Sequence, residues 1–132
     1  MSQTYLMIKP ELVADQTIGE ILKMLTDNRF RILQLEMKEL SEDQVKAFYA
    51  EHEGKPFYGD LVAYITSGPV VAVRLEKENA VADLRLLVGA TNPEQAAPGT
   101  IRYLHGRSLQ NNGVHASDSD PSAERELGII FG

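Results

Sequence analysis

The chain has no cysteine and no tryptophan. Without cysteine it can form neither a disulfide nor a thiolate metal site, and a thiol nucleophile is excluded. Basic residues are also few: 13 Lys and Arg stand against 19 Asp and Glu, a net charge of −6. That balance disfavours nonspecific attraction to nucleic acid or to an anionic membrane surface. Apolar stretches such as Pro69 to Val73 fall far short of a membrane span, and MSQTYLMIKP at the N-terminus has neither a basic segment nor a cleavage site. These absences read as a cytoplasmic chain. Walker A, dinucleotide-binding, HExxH and GxSxG patterns are missing as well. What is present is ordinary: 132 residues, 43% hydrophobic and 24% charged, enough for one folded domain spanning residues 1–132 and too apolar for disorder.

Periodicity supplies the elements. Tyr5 to Ile8 reads as a buried strand that stops at Lys9-Pro10, because proline cannot donate to a ladder. Ile18, Ile21, Leu22 and Leu25 have helical spacing, with Asp27-Asn28 as the exit. Phe30 to Leu40 alternates like a strand, with Ile32, Leu33, Leu35 and Met37 between polar residues and one slip at Ile32-Leu33. Ser41 and Gln44 form a capping box that starts a helix ending near Gly54. Leu61, Val62, Tyr64 and Ile65 make a short helix closed by Gly68-Pro69, Val70 to Val73 a central strand, and Asn79 to Val88 another helix. From Gly89 to Gly113 periodicity disappears, which predicts a loop of about 25 residues, long enough to imply function. Asp120-Pro121 reads as an N-cap opening a helix through Glu126, after which Ile129 to Phe131 closes the chain. The order predicts an α+β sandwich, a four-stranded antiparallel sheet with helices on one face.

The chemistry gathers in the aperiodic region. Residues 84–114 hold Arg85, Arg102 and Arg107 against Glu94 alone, a local excess of positive charge within an acidic protein. Arginine forks and loop amides are natural phosphate ligands. Of the three histidines, His52 reads as a surface residue at a helix end and His105 as an exposed loop residue. His115 differs: it sits among small residues in NNGVHASDS, with Ser117, Asp118 and Glu126 available to orient its ring. An imidazole that attacks phosphorus has to be neutral and held in one tautomer. The residues alone therefore indicate phosphoryl or nucleotide chemistry through His115.

NNGVHASDS also resembles the active-site signature N-x-x-H-G/A-S-D of nucleoside diphosphate kinases. The likeness extends through YLMIKP, FYAEHEGKPFYGDLVAYITSGPVVAV, GATNPEQAAPGTIR and SAERE, in matching order. The resemblance implies a ferredoxin-like fold and a ping-pong transfer of the γ-phosphoryl group from a nucleoside triphosphate to a nucleoside diphosphate. His115 would be the nucleophile, with Glu126 and Ser117 orienting it and Lys9 offsetting charge on the transferring group. Tyr49, Arg85, Thr91, Arg102 and Asn112 match positions that contact phosphates or sugar. Phe57 matches the aromatic that stacks on the base, with Leu61 and Leu109 as apolar neighbours, and stacking tolerates any base. Mg²⁺ would arrive with the nucleotide, held by phosphate oxygens and water, with no protein side chain as ligand. The resemblance further implies a homo-oligomer, a tetramer or hexamer built on a dimer.

The chain departs from the family pattern at Glu11-Leu12, where Asp-Gly is common, and at Tyr103-Leu104, where Gly-Asp is common. Two other classes share such features: a nucleotide-binding regulatory protein with little turnover, and a protein-to-protein phosphate relay. Retention of Lys9, Arg102, His115 and Glu126 speaks against the first. Phe57 and Thr91, which a relay does not need, speak against the second.

Overall fold

The computed structural model describes all residues, Met1–Gly132. Four strands, β1 (Ser2–Ile8), β2 (Arg31–Lys38), β3 (Val70–Lys77) and β4 (Val114–Ala116), form one antiparallel sheet in the order β2-β3-β1-β4. Seven helices accompany them: α1 (Pro10–Ala14), α2 (Ile18–Asp27), α3 (Glu42–Phe48), α4 (Tyr58–Ile65), α5 (Ala80–Val88), α6 (Ile101–His105) and α7 (Asp120–Phe131). This is the ferredoxin-like α+β arrangement, with β1 and β3 at the centre.

Helices cover both faces of the sheet, which corrects the expectation of one covered face. The cause is visible in the central strands: Thr4 to Ile8 and Val70 to Val73 are buried at every position, so side chains on both sides of the pleat need cover. Tyr5, Met7, Val70 and Ala72 pack with residues of α3, α4 and α7, including Phe48, Ile65 and Leu127. Leu6, Ile8, Val71 and Val73 pack on the other side with Leu12, Ile21, Leu25, Leu84 and Ile101.

The Ser41–Gln44 capping box forms in both directions at 3.1 Å, but α3 ends at Phe48, and a single 3-10 turn over Ala50–His52 replaces the longer helix expected. The slip at Ile32-Leu33 is a β-bulge, since Ile32 pairs with Leu75 and Gln34 with Arg74, leaving Leu33 without a partner residue. Beyond the bulge Leu35 and Met37 remain exposed on this edge strand, at 47% and 60%. The region 89–113 is not wholly irregular. It contains a 3-10 turn at Pro93–Gln95 and the one-turn helix α6, whose cap is Thr100, accepting from the Tyr103 amide at 3.3 Å. The N-cap of α7 is Ser119, not Asp120, because the Ser119 hydroxyl takes the Ser122 amide at 3.1 Å. That helix continues through Phe131, as Leu127 and Ile130 share one buried face.

Candidate active site

Strand β4 is three residues long and presents His115 beside Met7 of β1, on the face covered by α7. Its imidazole is edged by the Phe48 ring, with centroids 4.8 Å apart, and by Tyr5 and Tyr49 at 6.1 and 6.2 Å. Glu126, one turn and a half into α7 and almost fully buried, meets His115 Nε2 at 2.8 Å. Ser117 donates to the same carboxylate oxygen at 2.6 Å. A buried carboxylate engaged on Nε2 fixes the tautomer with its proton there, which leaves the lone pair on Nδ1.

Lys9 leaves the end of β1 as a buried ammonium donating to Asn112 Oδ1 at 2.9 Å. Burial and then the neighbouring Arg102 charge bring its pKa down to about 8, with Glu11 opposing the shift. Arg102, on α6, donates to the carbonyls of Gly89 and Val114 at 3.1 and 3.0 Å, while its Nε makes no hydrogen bond. Burial and the Arg85 charge lower its pKa to about 10, so it is fully charged at neutral pH. Arg85 on α5 reaches the Asp118 carbonyl at 3.2 Å. Lys9 and Arg102 are partly stripped of water and repel each other, and exposed Arg85 adds its repulsion on Arg102, so an incoming polyanion relieves both costs. Tyr49 adds a buried hydroxyl without a partner, kept protonated by burial and by the Glu126 charge.

All of these groups open into one cleft of about 820 Å³. It is lined by Lys9, Tyr49, Phe57, Leu61, Arg85, Thr91, Arg102, Leu109, Asn112, His115 and Glu126, so eleven of the twelve residues singled out in the sequence meet there. The twelfth, Ser117, is fully buried behind Glu126. Phe57 and Leu109 are exposed, at 42% and 61%, whereas Leu61 is buried. Asn112 acts as a cross-brace here: besides holding Lys9, its amide donates to the Thr91 and Leu109 carbonyls at 3.2 Å each.

Arg107 does not join the cleft but turns to Asp15 and Glu11. His105 is largely buried on α6, 3.4 Å from Glu20, and not a free loop residue. His52 lines the cleft, its ring 6.1 Å from Tyr49 and 5.3 Å from Phe57. Its spacing of three from Tyr49 on a helical stretch was the available signal. Asp118 of the histidine motif also lines the cleft, as do Ser108 and Gln110, which carry no motif of their own.

A histidine held by a buried carboxylate, at the floor of a cleft rich in desolvated cations and open to an aromatic ring, defines a phosphotransferase that works on nucleotides. The family model described as nucleoside diphosphate kinase matches residues 2–132. A nucleoside diphosphate kinase of Exiguobacterium sibiricum is 47% identical over 131 residues, covering 99% of this chain and 95% of its own. Among solved structures, the Aquifex aeolicus nucleoside diphosphate kinase superposes with a TM-score of 0.96 at 36% identity, covering 99% of this chain and 95% of that one. A halophilic nucleoside diphosphate kinase from Halobacterium salinarum, solved in complex with CDP, also gives a TM-score of 0.96 at 39% identity, over 98% and 87% of the two chains. The chain belongs to the nucleoside diphosphate kinase family. Its activity is transfer of the γ-phosphoryl group from a nucleoside triphosphate to a nucleoside diphosphate, and its family uses a divalent metal for that transfer.

Proposed function

We propose that His115 Nδ1 is the atom that carries the phosphoryl group between substrates. In the first half-reaction the Nδ1 lone pair attacks the γ-phosphorus, and the bond from that phosphorus to the β–γ bridging oxygen breaks. The electron pair leaves on the nucleoside diphosphate. The imidazole becomes cationic, with its proton still on Nε2, and the Glu126 carboxylate 2.8 Å away stabilises that charge. The second half-reaction runs the same step backwards onto a different nucleoside diphosphate. Ser117 holds Glu126 in place. The observation that carries this reading is the single cleft in which the His115–Glu126 pair and the destabilised cations Lys9 and Arg102 meet.

The remaining roles are those the resemblance implies, supported by the shared cleft. Lys9, Arg85 and Arg102 offset phosphate charge, Thr91 and Tyr49 donate hydroxyls, and Asn112 braces Lys9 against the loop on the ribose side of the cleft. Phe57 and Leu109 form the base platform, with Leu61 beneath, and CDP in the halophilic relative is the kind of ligand such a platform accepts. The donor set fits a Mg²⁺ that rides on the nucleotide's phosphates. The deep groups are cations, and Glu126 is already engaged by His115 and Ser117. When bound, the ion neutralises part of the polyphosphate charge.

We assign the whole chain, residues 1–132, to one catalytic domain, its two cores sharing a single sheet. Exposed Leu35 and Met37 on edge strand β2 support a homo-oligomer, a tetramer or hexamer built on a dimer. A cytoplasmic location suits substrates that circulate there, and no helix is long and apolar enough to cross a membrane. A coupled assay of ATP-dependent conversion of GDP to GTP tests the reading. Turnover of GDP and CDP alike is expected, and binding of both without turnover would point to a regulatory protein of the same fold.

A further inference from the structure

Glu11 and Leu12, the two positions where the chain departs from the family pattern after Lys9-Pro10, lie against the backbone that leads into β4. Glu11 is in the first turn of α1, yet its side chain is only 6% exposed. Its Oε1 accepts the Gly113 amide at 2.9 Å. The Gly113 carbonyl, in turn, accepts the Lys9 amide at 2.9 Å, so both backbone polar groups of Gly113 are taken by residues 9 and 11. Gly113 has φ +89°, and a Cβ there would stand 2.8 Å from Leu12 Cδ1. Leu12 thus fills the space that only glycine leaves open. The start of the same loop is tied to α1 as well. Arg107 hydrogen-bonds Asp15, and its NH1 lies 3.9 Å from Glu11 Oε2.

We propose that Glu11 and Leu12 form a seat for Gly113 that positions Asn112, Lys9 and His115 for transfer. The proposal rests on the roles assigned to those three residues above. Asn112 precedes the seated glycine and holds the Lys9 ammonium, and His115 follows it by two residues. A carboxylate is suited to the task, because a charged acceptor binds a backbone N–H about twice as strongly as a neutral one. The Tyr64 phenol lies beside the buried Glu11 carboxylate, and burial first, then hydrogen bonding with Glu11, then the Glu11 charge keep it protonated, so it stays a donor there. Glu11 is therefore a positioning residue, acting through Gly113 on groups that meet the substrate.

The test measures two things in the full chain: the single-turnover rate at which ATP phosphorylates His115, and hydrogen exchange at the Gly113 amide. Glu11→Ala should slow phosphorylation about ten- to a hundredfold, the range expected for misplaced reacting groups, with a far smaller change in ATP affinity. It should also speed exchange at Gly113. Glu11→Gln, which keeps an acceptor, should recover most of both. A folded Glu11→Ala with the wild-type rate and wild-type Gly113 exchange overturns the proposal. Should Glu11→Ala fail to fold, Glu11→Asp decides, since its side chain is one methylene too short. Slower phosphorylation with faster Gly113 exchange supports the seat, and unchanged values refute it. Gly113 exchange requires no catalysis. A wild-type chain left unlabelled at His115 therefore counts against the catalytic reading and leaves the seat to be judged separately.

Discussion

Lys9 shows most clearly how burial is turned to use. Its ammonium sits beside Arg102 and away from water, and its pKa falls to about 8. In the unfolded chain the same group titrates near 10.4, so between the two values the unfolded state binds more protons. The charge at Lys9 therefore costs stability below pH 8, and that cost is lifted as pH rises from about 8 towards 10.5. A bound polyphosphate stabilises the ammonium and raises its pKa again. Nucleotide binding near pH 8 to 9 should therefore take up a proton, and affinity should fall as pH rises through this range. Calorimetry of ADP binding in buffers of different ionisation enthalpy will reveal the uptake. Lys9→Met should abolish it, and equal uptake in that variant would place the titration elsewhere. At this scale the sequence was largely legible, because His115 lies among NNG and ASDS and its orienting acid recurs on the next helix. His52 carries only the weak signal of its spacing from Tyr49, since a histidine at a helix end has the same sequence context whether its ring meets solvent or, as here, Tyr49 and Phe57.

Among the elements, those defined by local rules could be read directly: the Ser41–Gln44 box, the apolar face of α2 and the bulge in β2 each follow from adjacent residues. Two short helices could not. α6 is a single turn, IRYLH, with one buried apolar residue, Ile101, so it has no periodicity to detect. α1 begins at the same proline that ends β1, and proline serves equally as a strand stop and as a first helical residue. The second covered face of the sheet is not legible for a related reason. Continuous burial along β1 and β3 appears in sequence only as short apolar runs, which do not say how many helices cover them. The junction of α5 with the cleft loop depends on Gly89, with φ +91° and a prospective Cβ 2.5 Å from Thr100 Oγ1. Gly89→Ala should destabilise the protein by about 1–3 kcal/mol, the cost of a strained backbone conformation, before any clash is counted. It should also loosen Arg102, which donates to the Gly89 carbonyl. Urea denaturation measures the first effect and the KM for ATP the second; a variant as stable as wild type would show that the corner relaxes freely.

For the whole molecule, the sheet that places β4 beside β1 also leaves β2 as an edge strand with an apolar stripe. Leu35 and Met37 are exposed next to Val73 and Val71, on the face where α2 packs. A second copy is the expected cover for such an edge. Leu35→Glu with Met37→Lys should shift the protein towards monomer in light scattering coupled to size exclusion, whereas an unchanged assembly would place the contact on another surface. The groups that line the cleft, from Lys9 just after β1 to Glu126 on α7, all come from this chain. The central claim is that His115 carries the phosphoryl group, and it is tested most directly by labelling with γ-³²P ATP in the absence of acceptor. The wild-type protein should take up label in an acid-labile, alkali-stable linkage and lose it on addition of GDP with formation of GTP. His115→Asn should bind ATP and take up none; equal labelling of that variant would contradict the mechanism.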